Sequence, residues 1–241
     1  MRLIQVAVLV NQILHDLVDD FHSGSFGTFE ERRYPYPNTG AIEKILITCI
    51  LSSNWVFERA VKAADRLFDK FLLGTADMRL PTYSGLENFL TSEAVKCRYP
   101  KTKAGQLWGS LHALRSLGAP LPSFAQRFDD ELTLREYFFE NFPGLGLKQS
   151  SMFLRDTGVA SSLAIVDVHI VWYLTHVEGW SINSLTPKEY LRAEKHLLDM
   201  ANDFAVPMGV LDSIIWVMVK ELKKKRRRLS CETQYALPLE G

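Results

Sequence analysis

The chain has 241 residues, 47% of them hydrophobic and 23% charged, which is enough for one large domain or two small lobes with a substantial core. Its 28 Lys and Arg residues balance its 28 Asp and Glu residues, so any binding of nucleic acid requires a locally concentrated positive face. The three widely spaced cysteines, Cys49, Cys97 and Cys231, show neither a disulfide framework nor zinc-ligand spacing, which favours a reducing compartment. No run of about 20 apolar residues predicts a membrane span, and no small-residue cleavage site follows the apolar N-terminal stretch.

Helical periodicity dominates the first third of the chain. It predicts a first helix over residues 3–21, followed by a loop over residues 23–39 that is rich in Gly, Pro and Tyr. Helices resume over residues 41–52 and 55–72, the second with apolar residues at helical spacing.

Capping patterns mark two later helix starts. Thr133, with Glu136 three residues on, predicts the N-terminus of a helix that leads into a glycine-rich turn. Thr186, followed by Pro187 and then Glu189, predicts a helix that ends at about residue 203. The last clear helix is predicted over 210–225. Strand signals are few, so we predict an all-α fold with at most a minor hairpin.

The most informative segment is the turn Phe142-Pro143-Gly144-Leu145-Gly146-Leu147-Lys148. A glycine-rich turn between two helices can grip a phosphate, because its backbone N–H groups approach an anion closely at the positive end of the second helix. Lys148 directly after the turn, and Asp167 nineteen positions later, add an amine and a carboxylate. From the residues alone, Lys148 is equally a solvated helix-start lysine and Asp167 a helix N-cap, a role that is compatible with catalysis.

Together with Phe153-Leu154-Arg155 and His169, these residues resemble the helix-hairpin-helix DNA glycosylases, and among them most closely the 8-oxoguanine DNA glycosylase branch. The resemblance is specific over residues 142–174, recognisable over 49–59 and 210–218, and vague elsewhere. It implies two helical lobes with the active cleft between them. The four-cysteine iron–sulphur cluster of the related endonuclease III branch cannot form here, because the chain has only three cysteines.

The resemblance also implies how the chain is divided. Residues 1–40 are expected to form an N-terminal helix and loop that belong to the second lobe. Residues 41–160 form the central lobe, with the helix-hairpin-helix at about 134–157. Residues 161–228 supply the C-terminal helices that complete the second lobe, and residues 229–241 form a loose tail.

For Lys148 and Asp167 the resemblance implies the catalytic roles. The enzyme flips a damaged base out of duplex DNA, and the hairpin glycines Gly144 and Gly146 hold the backbone phosphate beside it. Lys148 displaces the base and forms a Schiff base, while ionised Asp167 stabilises the positive charge that builds on the sugar. This mechanism needs neither a cofactor nor a metal, and the expected partner is duplex DNA containing a modified guanine.

Three further residues are candidate DNA contacts. Asn54, in Ile50-Leu51-Ser52-Ser53-Asn54, resembles the asparagine that fills the hole left by the flipped base and pairs with the orphan cytosine, with Arg59 as a helper. The alternative for Asn54 is a cap on a helix that begins at Trp55. His169 is either a phosphate contact or a histidine at the edge of the core.

The base pocket is expected to contain Met152, Asp212 and Trp216. Met152 lies one turn after Lys148, and Trp216 lies four residues after Asp212 on a helix that resembles the C-terminal helix of archaeal and bacterial relatives. There the tryptophan stacks on the base and the aspartate accepts a hydrogen bond from it. Without the resemblance, Met152 and Trp216 are ordinary core residues. The chain departs from the shortest relatives by running on past this helix, so its pocket closure must differ.

The dense basic run at residues 220–228 is either a solvated helix end or a phosphate-binding edge. Taken as a whole, the resemblance implies a monomeric bifunctional DNA glycosylase/AP lyase for 8-oxoguanine that does not act at a membrane. It is expected in the cytoplasm, at the nucleoid, of a prokaryote or in the nucleus of a eukaryote. Two alternatives stay open: a glycosylase-like protein for another modified guanine, as in bacterial antiviral defence, and a non-catalytic DNA-binding helix-hairpin-helix module.

Overall fold

A computed structural model describes residues 3–24, 39–72 and 80–235, and every regular element among them is an α-helix. The prediction of an all-α fold is confirmed. No helix among these residues is long and apolar enough to cross a membrane. In chain order the helices are α1 (Leu3–His22), α2 (Thr39–Ser52), α3 (Phe57–Phe71), α4 (Tyr83–Thr91), α5 (Pro100–Arg115), α6 (Leu121–Ala125), α7 (Glu131–Asn141), α8 (Leu147–Asp156), α9 (Val168–His176), α10 (Pro187–Asp203) and α11 (Met208–Tyr235).

The chain divides into two compact units, one formed by residues 32–165 and the other by residues 1–31 together with 166–241. In the first, which we call the hairpin unit, α2 packs against α3, α5 and α8, and α7 packs against α8. Its core is apolar and tightly filled, with Leu46 and Ile50 of α2, Leu107 of α5, Phe138 of α7 and Phe153 of α8 all fully buried.

In the second unit, which we call the terminal unit, α11 packs against α1, α9 and α10. Each helix contributes buried apolar side chains, among them Leu14, Leu174, Leu197 and Ile215. The long helix α11 runs to Tyr235, ten residues beyond the end that the sequence predicted. The predicted loose tail at residues 229–241 therefore begins within a helix, and its residues 236–241 lie outside the described part.

Helix starts show where capping chemistry predicted correctly and where it did not. Thr186 is the N-cap of α10 and accepts a hydrogen bond from the N–H of Glu189 at 3.3 Å, as predicted. Thr133 is not an N-cap: α7 begins earlier, because Asp130 accepts from the Thr133 N–H at 2.7 Å and Thr133 completes the capping box. A carboxylate at the helix start is at least as good an acceptor as a hydroxyl, so the earlier residue caps the helix.

Candidate active site

The glycine-rich turn joins α7 to α8 in the hairpin unit. The N–H of Phe142 donates to the carbonyl of Phe138 at 3.1 Å, and the N–H of Leu145 donates to the carbonyl of Phe142 at 3.0 Å, which closes the turn. Gly144 has a φ of +90°, and a Cβ added there would lie 2.9 Å from the Gln106 side chain. Glycine is required at this position both for its backbone conformation and for the close approach of α5.

Helix α5 supports the turn from one side. The Ser110 hydroxyl donates to the carbonyl of Pro143 at 2.7 Å. Gly109 lies so close to the same proline that an added Cβ would be 3.1 Å from its Cγ. These contacts hold the entrance to α8 through the protein's own packing.

The N-terminus of α8 has no side-chain cap. Its N-cap residue is Gly146, with φ −75° and ψ 178°, so no N-cap side chain accepts a hydrogen bond from the first-turn N–H groups. The first regular helical bond is donated by the N–H of Ser150 to the Gly146 carbonyl at 2.8 Å. N–H groups at the positive end of a helix dipole, left without a side-chain acceptor, form an anion-binding site that suits a phosphate.

Lys148 is the second residue of α8 and is partly buried. Its charge acts on the thiol of Cys49 in α2: burial raises the pKa of Cys49 well above its usual value, the charge of Asp156 raises it further, and Lys148 opposes both. In the sequence, Cys49 indicates only the redox compartment. No local pattern links it to Lys148, because the packing of α2 on α8 brings the two together.

The other predicted residues of the hairpin unit are placed as follows. Met152 is 6% exposed and belongs to the hydrophobic core, so any contact with a base stays a prediction. Asn54 is exposed in a turn with φ +55°, and Arg59 is exposed in the first turn of α3. The cap alternative for Asn54 is wrong, since α3 begins at Phe57 with Val56 as its N-cap.

Asp167 is the N-cap of α9 in the terminal unit. Its Oδ1 accepts hydrogen bonds from the N–H groups of His169 at 2.7 Å and Ile170 at 3.1 Å. Its Oδ2 lies 3.1 Å from Nδ1 of the His169 ring. The predicted N-cap role is thus confirmed, and both carboxylate oxygens have defined partners.

Two opposing effects set the ionisation of Asp167. Burial raises its pKa, whereas the His169 ring, the two backbone N–H groups and the charge of His169 lower it, and the net result is a pKa below the usual range. Asp167 is therefore an ionised carboxylate at neutral pH although only 14% of its side chain is exposed. A sparsely hydrated negative charge of this kind stabilises a positive charge that develops beside it.

His169 connects Asp167 to α11. Its ring centroid is 5.6 Å from that of Trp216, so Asp167, His169 and Trp216 form a continuous row. The Lys220 ammonium lies 4.2 Å from the centroid of the Trp216 ring, a cation–π contact. Asp212, one turn before Trp216, is 4% exposed and accepts a hydrogen bond from the Ser213 hydroxyl at 3.4 Å.

The structure thus groups the predicted residues by unit. Gly144, Gly146 and Lys148 lie together at the start of α8 in the hairpin unit. Asp167, His169 and Trp216 lie together in the terminal unit, with Asp212 on the same helix as Trp216.

Comparison with known proteins identifies the family. Residues 33–206 match the family model for 8-oxoguanine DNA glycosylase of the helix-hairpin-helix type. An 8-oxoguanine DNA glycosylase/AP lyase of Sulfurisphaera tokodaii is 30% identical over 176 residues, covering 71% of this chain and 78% of that protein. Among solved structures, the 8-oxoguanine DNA glycosylase of Methanocaldococcus jannaschii superimposes with a TM-score of 0.68 at 22% identity, covering 87% of this chain and 92% of the other.

The same archaeal enzyme has also been crystallised with a 15mer DNA containing 8-oxoguanine, and that structure superimposes with a TM-score of 0.62 at 23% identity, covering 86% of this chain and 88% of the other. At this identity the structural likeness concerns the fold. The family rests on the match over residues 33–206, which takes in the hairpin, Lys148 and Asp167. The chain belongs to the 8-oxoguanine DNA glycosylase family.

Proposed function

We propose that this protein is a bifunctional DNA glycosylase and AP lyase that excises 8-oxoguanine from duplex DNA. The observation that carries the proposal is the uncapped N-terminus of α8, followed immediately by the partly buried Lys148. A module that only grips DNA needs the first feature and not the second. A relative that is 30% identical over 71% of this chain is an 8-oxoguanine DNA glycosylase/AP lyase.

In the proposed reaction, the N–H groups at the start of α8 bind a backbone phosphate next to the lesion and the modified guanosine leaves the base stack. Lys148 attacks C1′ of the sugar as a neutral amine. The attack requires the unprotonated amine, because an ammonium has no lone pair to form the new bond. The bond between C1′ and the base nitrogen breaks, and the base departs with the electron pair and takes up a proton.

Asp167 acts on the charge that develops during this step. As the bond to the base lengthens, positive charge builds on the sugar, and the ionised carboxylate stabilises it. Its hydrogen bonds from His169 and Ile170 keep it unprotonated. Because it is held as a helix cap, it needs little reorganisation when the charge appears.

The lyase step follows from the covalent adduct. The sugar opens to a Schiff base between Lys148 Nζ and C1′, loss of a C2′ proton eliminates the 3′ phosphate, and hydrolysis of the imine releases the enzyme. Every group in these steps is an amine, a carboxylate or water, so no cofactor or metal is required.

Borohydride trapping tests the proposal. The wild-type protein is expected to form a covalent adduct with a duplex carrying 8-oxoguanine opposite cytosine, and Lys148→Gln should abolish the adduct while DNA binding persists. Lys101→Gln is the matched control, since Lys101 is an exposed lysine of α5. Undiminished trapping in Lys148→Gln would place the nucleophile elsewhere. A panel of duplexes with other modified guanines identifies the preferred base.

A further inference from the structure

Lys103 of α5 is a buried lysine that the proposed reaction does not use. It is 5% exposed, and its Nζ donates a short hydrogen bond to the carbonyl of Ile50 in α2. Lysine is almost never buried without a partner, because removing its charge from water is costly. Here burial lowers the pKa of the amine, and the nearby Cys97 thiol only partly offsets this. A costly arrangement of this kind calls for an explanation.

The bond is placed at the end of a helix. Ile50 lies in the last turn of α2, where carbonyl groups have no intrahelical donor and the dipole is negative. An ammonium on a backbone carbonyl forms a charge-assisted hydrogen bond, which is stronger than one between neutral groups. Lys103 therefore caps α2 from a different helix.

The turn after α2 is held weakly by its own bonds. The N–H of Ser53 donates to the Ile50 carbonyl at 3.4 Å, and the N–H of Trp55 donates to the Ser52 carbonyl at 3.3 Å. Both are longer than the usual 2.9–3.0 Å of such bonds. The bond from Lys103 is thus the strongest hydrogen bond to the Ile50 carbonyl.

Unusual backbone conformations occur on both sides of this contact. Asn54 has a φ of +55°, and on the facing segment Lys96 and Tyr99 have φ values of +48° and +59°. Nη1 of Arg98, within that segment, lies 3.5 Å from the Asn54 carbonyl oxygen. Left-handed residues persist only where surrounding contacts hold them, and such residues cluster at functional sites.

We propose that Lys103 is a positioning residue that fixes the turn carrying Asn54, and that it thereby determines which base the protein accepts opposite the lesion. This inference rests on the proposed function and on the role that the family resemblance implies for Asn54, which is to fill the gap left by the flipped nucleotide. Asn54 is exposed at the tip of the turn, and the ammonium of Lys103 holds the base of the same turn. If the hydrogen bond from Lys103 to the Ile50 carbonyl is lost, the turn takes several conformations and Asn54 no longer selects cytosine.

The test uses binding rather than excision. Wild type and variants are titrated with duplexes that carry a tetrahydrofuran abasic analogue opposite either cytosine or adenine. Lys103→Met keeps most of the length of the side chain and removes the charged donor, so the Ile50 carbonyl keeps only the long bond from the Ser53 N–H. We expect the cytosine-over-adenine preference to fall about tenfold, the effect of losing one charge-assisted hydrogen bond. Trapping by Lys148 on a preformed abasic site should be unchanged.

Two controls separate positioning from general stability. Lys101→Met removes an exposed lysine from the same helix and should leave the preference at the wild-type value. In Lys103→Met, hydrogen exchange should accelerate at the amides of residues 53–55 and not in α8. If Lys103→Met does not fold, Lys103→Arg and Lys103→Gln replace it. Arginine keeps a cationic donor and should retain the preference, whereas the shorter, neutral glutamine should lose it.

The outcomes are separable from those of the proposed function. The inference is overturned if Lys103→Met keeps the wild-type preference. It is also overturned if Lys103→Arg and Lys103→Gln both keep it. A wild-type protein that binds both duplexes equally overturns it as well. If instead the wild type shows no borohydride adduct, the proposed function fails, and the binding ratio still decides the role of Lys103.

Discussion

Helices α8 and α9 both begin with backbone N–H groups that need an acceptor, and they differ in whether an N-cap side chain supplies one. At α9 the carboxylate of Asp167 accepts the N–H groups of His169 and Ile170, so the helix supplies its own anion. At α8 the cap position is Gly146, which has no side chain to offer. One helix N-terminus is closed by a negative charge from the protein, and in the proposed function the other binds a negatively charged phosphate.

In the proposed function, this difference divides two tasks within a chain that has no net charge. The positive end of α9 stabilises the ionised form of Asp167, which keeps a carboxylate charged although it is largely buried. The positive end of α8 is available for a phosphate, next to Lys148. Neither task needs a net positive protein, in agreement with 28 basic and 28 acidic residues.

The largest expected effect comes from removing the charge of Asp167 while keeping its cap. Asparagine is as good an N-cap as aspartate, so Asp167→Asn should fold and lose only the bond to the His169 ring, about 1 kcal/mol of stability. Base excision should nevertheless slow about a hundred- to a thousandfold, the usual loss when one preorganised electrostatic stabiliser is removed. Single-turnover excision and thermal unfolding are measured together. An unfolded variant with unchanged activity per folded molecule would make Asp167 only a cap.

A second change turns the start of α8 into a copy of the start of α9. Gly146 has an extended backbone that any residue adopts, and an added Cβ would lie 3.3 Å from the flexible end of Gln149. Gly146→Asp should therefore fold, and its carboxylate should occupy the anion site and repel phosphate. We expect DNA affinity to fall about tenfold to a hundredfold, the effect of a like charge at a contact. Gly146→Asn is the control of matched shape, and it should bind more tightly than Gly146→Asp. Equal affinities would mean that DNA does not use this N-terminus.

The row formed by Asp167, His169 and Trp216 gives a test of base selectivity. Trp216→Ala should lose stacking, and Asp212→Asn should lose an acceptor for a guanine-like edge, each a loss of about 1–3 kcal/mol. Excision of the modified base should fall by roughly tenfold or more in either variant. Cleavage at a preformed abasic site should persist, because Lys148 needs no base for that step. Parallel loss of both activities would show that these residues support the fold and do not contact the base.

Much of this arrangement was predictable from local patterns. Residues 142–148 contain both the glycines and the lysine, so the hairpin and the start of α8 could be placed from the sequence. Asp167 could be assigned as a cap because Asp before an apolar helix is a common N-cap. Thr186 at the start of α10 was predicted for the same kind of reason.

What could not be predicted depends on packing between distant segments. The pattern at Thr133 gave no weight to Asp130 as an earlier and stronger acceptor. Three contacts join segments that are far apart in the chain. Gln106 lies against Gly144, Lys103 donates to the Ile50 carbonyl, and the charge of Lys148 acts on Cys49. No periodicity or spacing encodes such pairs, because they arise only when α5 and α8 pack on their neighbours.

The smallest expected effect is the energetic coupling between His169 and Asp167. Its dependence on pH shows whether the coupling arises from the charge of Asp167. The folded-state pKa of Asp167 is depressed, so its contribution to stability is complete above the unfolded value of about 3.9 and is lost as the pH falls through the folded value. His169→Phe removes the ring donor and keeps an aromatic ring beside Trp216. In a double-mutant cycle with Asp167→Asn, we expect a coupling of about 1 kcal/mol at pH 7, the value of a typical hydrogen bond. The coupling should vanish below the folded-state pKa of Asp167. There the aspartate is protonated, so residue 167 is neutral in the proteins with Asp and in those with Asn. His176→Phe on the same helix, whose ring stacks on Trp172, should show no coupling at any pH. Coupling that persists unchanged in acid would mean that the His169 ring acts through packing rather than through the charge of Asp167.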